Sequence, residues 1–125
     1  MKYTLFPLLA AITFSASGVH ADSHATPQVA EIVTFHLNDG VNPADFLAAA
    51  TKTEALLRAS GHVLSRTLSR DQSGLWTDYI IWTDQKSAEA TAAAVMQNPD
   101  FAPFMSMIST KDMVFRYASL VYQMD

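Results

Sequence analysis

Asp78 is the side chain best placed to do chemistry. It lies inside the run 75–82, between Trp76 and Trp82, which are the only two tryptophans among the 125 residues. A carboxylate in mid-strand among apolar neighbours must be ion-paired or change its protonation. Arg66 and Arg70 are the candidate partners. The alternative is a proton acceptor facing a pocket. At the period of a strand, Trp76 and Trp82 fall on one face. They pack a core there, or form a stacking wall for a flat ligand.

Other reactive types are sparse. His36 and His62 show no ligand spacing, and a single histidine cannot hold a metal alone. His24 and Asp22 near the start would bind a metal only weakly, so no metal site is expected. Phe101, Phe104, Met105 and Met107 cluster beside Pro99 and Pro103. They form a core lid or an adaptable wall for a hydrophobic ligand. Tyr79, Tyr117 and Tyr122 are packing residues with polar tips. There is no Gly-rich phosphate loop and no nucleophile elbow, so ester hydrolysis and nucleotide-cofactor chemistry have no support.

The elements that must carry these groups follow from periodicity. Residues 29–38 alternate as a strand, with Val33, Phe35 and Leu37 on one side and Ile32, Thr34 and His36 on the other. Both sides are partly apolar, as in a strand covered on both faces. Asn42-Pro43 opens a helix, because Asn42 caps free amides and Pro43 fits the first helical position. Phe46, Ala49, Ala50, Thr53 and Leu57 make its buried stripe, and Gly61 ends it. Residues 62–70 and 75–82 form a hairpin over a turn at 71–74. The expected register sets Thr67 opposite Asp78. Asp84 caps a second helix whose inner face holds Ala88, Ala92, Val95 and Met96. Residues 101–108 give a short helical piece and 113–122 a last strand. The order β-α-β-β-α-β predicts an α+β, ferredoxin-like split fold with a four-stranded antiparallel sheet.

Composition restricts partners. Half the residues are hydrophobic and the formal charge is −4, with no basic block, so nucleic acid is a poor partner. No cysteine is present, which excludes disulfides and thiolate metal sites. Residues 1–21 resemble a secretory signal peptide: Lys2, an apolar run, then a small-residue cleavage site ending at Ala21. The apolar run is short of the ~20 residues that a membrane span needs. The expected mature chain is periplasmic or secreted, with a flexible lead-in at 22–28 and one domain at 29–125.

Ile32-Val33-Thr34-Phe35, the segment Gly40 to Pro43, Ser65-Arg66 and the spacing Trp76, Asp78, Trp82 carry a resemblance. The chain resembles the dimeric α+β barrel superfamily, and within it the small domains like antibiotic-biosynthesis monooxygenases (ABM domains). The likeness covers about 29–122. It implies a homodimer whose two sheets pack face to face into a barrel. Ile32, Thr34 and His36 would lie at the seam. It also implies a pocket between sheet and helices, lined by Val33, Phe35, Trp76, Phe101, Phe104 and Met105, with Asp78 and Trp82 as catalytic candidates.

Relatives include cofactor-independent monooxygenases of phenolic or quinone-like molecules, heme-degrading enzymes, and proteins without demonstrated chemistry. The heme branch uses a tryptophan, an asparagine and a histidine. Trp82 matches the first. Val33 stands at the asparagine position, and Phe104 or Met105 at the histidine position, so heme is not expected. Two readings remain: a cofactor-free monooxygenase in which Asp78 takes a phenol proton, and a non-catalytic binder of a small hydrophobic molecule.

Overall fold

The computed structural model describes residues 26–125; the expected leader at 1–21, and Asp22 with His24, lie outside the described residues. Residues 26–28 are exposed and without regular structure. The elements are β1 (Val29–Phe35), α1 (Pro43–Ala59), β2 (Val63–Arg70), β3 (Trp76–Trp82), α2 (Gln85–Met96), a 3-10 turn (Pro99–Phe101), α3 (Ala102–Ser106) and β4 (Val114–Ser119). The strands form one antiparallel sheet in the order β2-β3-β1-β4. This is the expected ferredoxin-like α+β arrangement, with β3 and β1 central.

Local chemistry explains both long helices. Asn42 Oδ1 accepts the Ala44 amide at 2.8 Å, with Pro43 at the first helical position. The buried stripe of α1 is Phe46, Ala49, Ala50, Thr53 and Leu57, as periodicity predicts. Gly61 then turns the chain at φ +73°, a conformation that costs glycine little. Asp84 caps α2 by accepting from the amide and hydroxyl of Ser87, which holds its carboxyl below the usual range. The buried positions of α2 are Ala88, Thr91 and Val95. Met96 is not among them: it is the last residue of the helix and is 58% exposed.

Three expectations shift in detail. Leu68, not Thr67, faces Asp78, and Arg70 faces Trp76. The cause is the turn. Asp71 Oδ1 accepts from the Ser73 and Leu75 amides, while the Asp71 amide bonds to the Leu75 carbonyl. That pairing moves the register by one residue. β1 ends at Phe35 rather than at residue 38, and β4 ends at Ser119 rather than at residue 122. Each stops where its neighbour stops: Phe35 is the last partner of Trp76, and Ser119 that of Val29. Beyond Ser119, Val121, Tyr122 and Met124 are exposed.

The sheet has two unlike faces. Val29, Glu31, Val33 and Phe35 of β1 share the helix-covered face with Trp76, Asp78, Ile80 and Trp82 of β3. On this face β2 supplies Arg66 and Leu68, and β4 supplies Phe115 and Tyr117. The opposite face carries Ile32, Thr34, Tyr79 and Ile81, all half-buried. No helix among the described residues is long and apolar enough to cross a membrane.

Candidate functional site

Beneath the helix-covered face the core divides in two. One cluster holds Phe35, Phe46, Trp76, Phe104 and Ile108; the other holds Val29, Leu57, Ile80, Trp82 and Val95. Between them lies a partly open cavity of about 260 Å³. Its walls are mostly apolar: Val33, Phe35, Ile80 and Trp82 from the sheet, Ala92, Val95 and Met96 from α2, and Phe101, Phe104 and Met105 from the segment that follows. Met113 and Phe115 close the β4 side. The side-chain charges on the wall are Glu31, Arg66 and Asp78. A larger groove, of about 530 Å³, runs between α1 and α2 past Leu56, His62 and Lys86. It is more open to solvent and no carboxylate lines it, so the more sheltered cavity is the candidate site.

Asp78 is ion-paired. Its oxygens accept from Arg66 Nε at 3.0 Å and Nη2 at 2.7 Å, a bidentate fork. Only 12% of the Arg66 side chain and 8% of the Asp78 side chain are exposed. Arg66 Nη1 also donates to Thr53 Oγ1 at 2.8 Å and to the Ala50 carbonyl at 3.3 Å, which ties β2 to α1. The guanidinium lies 5.3 Å from the Phe104 ring centre. Of the two candidate partners Arg66 takes the carboxylate, and Arg70 stacks over Trp76 instead, at 5.3 Å.

The other expected pocket residues divide. Val33, Phe35, Phe101, Phe104, Met105 and Trp82 line the cavity. Trp76 does not: it packs against Phe46 with ring centres 4.9 Å apart and is covered by Arg70. Arg70 and Trp76 are directly paired across the hairpin, so that ring is filled by core on one side and guanidinium on the other. Ile32 and Thr34 lie on the opposite sheet face, away from the cavity. Just after β1, half-exposed His36 meets Asp112 of the turn before β4. His62 Nδ1 is 3.1 Å from Thr83 Oγ1. Among the described residues no three of His, Asp and Glu gather as metal ligands would.

Glu31 is the site residue that sequence reasoning missed. It stands opposite Ile80 on one side and Tyr117 on the other. Only 9% of it is exposed. Burial pushes its carboxyl up from the usual 4.5 to about 7, helped by the negative charge of Asp78. Trp82, Arg66 and Tyr117 lie close enough to pull the other way. Even so, Glu31 Oε2 and Trp82 Nε1 are both buried without a hydrogen bond of good geometry among the described residues. Tyr117 answers in kind: burial, then the charges of Glu31 and Glu89, push its hydroxyl up to about 12. The signal was present in the sequence. Glu31 is a charge at an alternate position of a strand whose neighbours on that side, Val29, Val33 and Phe35, are apolar.

No family model matches the sequence, and no curated protein matches it. Solved structures do match. The chain is similar to SnoaB, a cofactor-independent oxygenase from Streptomyces nogalater, with TM-score 0.60, 15% identity, and 80% of this chain and 97% of that one covered. A Bordetella bronchiseptica protein provisionally named an antibiotic biosynthesis monooxygenase gives TM-score 0.66 at 13% identity, covering 78% and 100%. A Chloroflexus aurantiacus protein with the same provisional name gives 0.61 at 14%, covering 78% and 97%. The chain thus has the ferredoxin-like α+β fold, and its structural neighbours are ABM-like proteins.

Proposed function

We propose that this chain is an exported, homodimeric, cofactor-independent monooxygenase of a small phenolic or quinone-like molecule. The observation that carries the reading is the sheltered, aromatic-lined cavity with carboxylates in its wall. An apolar pocket with a few convergent polar groups is where a flat organic molecule is held and oriented. The name of SnoaB as a cofactor-independent oxygenase supports the chemistry. The half-buried face of Ile32, Tyr79 and Ile81 supports a second copy packed against it.

Such a reaction needs no external reductant. A phenol that loses its proton becomes electron-rich enough to reduce O2. One oxygen atom bonds to the ring carbon para to the hydroxyl, and the other leaves as water. With 1-naphthol the products are 1,4-naphthoquinone and one water per O2. The protein contributes binding, desolvation and a proton acceptor. The Arg66–Asp78 pair restrains Asp78 from that last role, because both carboxylate oxygens already accept from the guanidinium.

The same fork favours a second reading, a binder that holds its ligand without turnover. Oxygen uptake with 1-naphthol and a panel of hydroxynaphthoquinones separates the two. Under ¹⁸O2 the oxygenase reading expects one labelled oxygen in the quinone and one O2 per product. Saturable binding with no uptake across the panel leaves the binder.

A further inference from the structure

The cavity has one polar corner that the Arg66–Asp78 pair does not occupy. There, Oε2 of Glu31 and Nε1 of Trp82 are both buried, and neither makes a hydrogen bond of good geometry among the described residues, although the indole N–H lies close enough to favour the Glu31 anion. Glu31 is 9% exposed and Trp82 1%. A buried donor and a buried acceptor left unpaired are each costly, so such a corner suits a group that can satisfy both at once. A hydroxyl does so: it accepts from the indole N–H and donates to the carboxylate. An ether can only accept, and an amine would leave the indole N–H unmatched once protonated.

Size narrows the class further. Pockets for drug-sized ligands run to roughly 300–1,000 Å³. At about 260 Å³ this one is smaller, which fits one or two fused rings better than a large polycycle.

We infer that Glu31 is the group that accepts the ligand's hydroxyl proton, and that the cavity selects a neutral one- or two-ring arene bearing that hydroxyl. The inference rests on the cavity being the ligand site proposed above. The proton passes from the ligand oxygen to Oε2, and the electron pair stays on the ligand oxygen. The groups facing Glu31 suit the task. From β3 come Asp78, whose charge disfavours the anion, and Trp82, whose N–H favours it; Arg66 of β2 and Tyr117 of β4, directly opposite, favour it too. Glu89 of α2 acts on Tyr117 in turn. The balance leaves Glu31 near neutrality, where an acceptor both takes and returns a proton readily.

The test is anaerobic, so that binding is read without turnover. 1-Naphthol and 1-methoxynaphthalene are titrated into the full mature protein between pH 5.5 and 8.5, and into E31Q. An ionised acceptor makes the stronger bond to a hydroxyl. The wild type should therefore bind 1-naphthol at least about tenfold more tightly at pH 8.5 than at 5.5, with the rise centred near the Glu31 titration. The ether should not gain with pH, and E31Q should lose the rise for naphthol. Equal pH profiles for naphthol and ether overturn the inference on the wild type alone, whether or not E31Q folds. So does a rise that survives in E31Q, or no naphthol binding up to millimolar concentration. Hydroxyl-selective binding without oxygen uptake would remove the oxygenase reading and leave the recognition site standing.

Discussion

Replacing Arg66 with Met strands a buried carboxylate, and the size of the penalty follows from the geometry. Asp78 would lose two charge-assisted hydrogen bonds, at 3.0 and 2.7 Å, with 8% of its side chain exposed. Breaking one partner out of a buried pair costs roughly 3–5 kcal/mol, because the remaining charge is uncompensated. The two Nη1 bonds that tie β2 to α1 are lost as well, while Thr53 Oγ1 stays satisfied within α1 by its own bond to the Ala50 carbonyl at 2.6 Å. The variant with Asp78 changed to Leu as well removes both charges. It should recover most of the loss, since apolar replacement of a whole buried pair is often neutral or better. Urea unfolding at fixed protein concentration reads R66M, the Asp78→Leu single variant, the double variant and the wild type, because folding linked to dimerisation would make stability depend on concentration. The R66M deficit should shrink in acid, where the stranded carboxylate takes a proton. An R66M cost below about 1 kcal/mol, or a double variant as unstable as the sum of the two singles, would refute the reasoning.

Other outcomes follow from the same geometry. Glu31 is raised in the folded state, so its contribution to stability is full below pH 4.5 and falls away as pH rises through about 7. Glu31→Gln should therefore stabilise the fold at pH 8 by about 3 kcal/mol and hardly at all at pH 4, read as urea midpoints across pH. Asp78→Asn removes the second cause of that rise and leaves the Arg66 charge, so the carboxyl ¹³C titration of Glu31 should move to lower pH. Phe104→Ala deletes a ring stacked on Phe46 at 5.3 Å and covered by Arg66. It should cost about 3–5 kcal/mol by thermal or urea unfolding.

Much of the fold was legible because local signals agreed with one another. Asn42-Pro43, the stripe from Phe46 to Leu57 and Gly61 mark α1 from end to end. Asp84 marks the start of α2. What the sequence concealed depends on other elements. The hairpin register turned on one Asp71 side chain closing its loop. β4 is shorter than its hydrophobic run because β1 offers no partner past Val29. Trp76 and Trp82 share a face and an environment by pattern, yet only Trp82 reaches the cavity, because Phe46 and Arg70 fill the space around Trp76. Glu31 shares the parity of Val33 and Phe35, so alternation placed it on the pocket side; its desolvation depends on Trp82, Tyr117 and Ile80, which other strands bring beside it.

The methionines offer the most direct measurement on the cavity itself. Met96, Met105 and Met113 line it, whereas Met124 is exposed in the C-terminal tail. With ¹³C-methyl methionine in the mature protein, anaerobic titration with 1-naphthol should move the first three methyl signals together, on one saturable curve, and leave Met124 in place. Shifts confined to Met124, or none at saturating 1-naphthol, would contradict a ligand site between the sheet and α2.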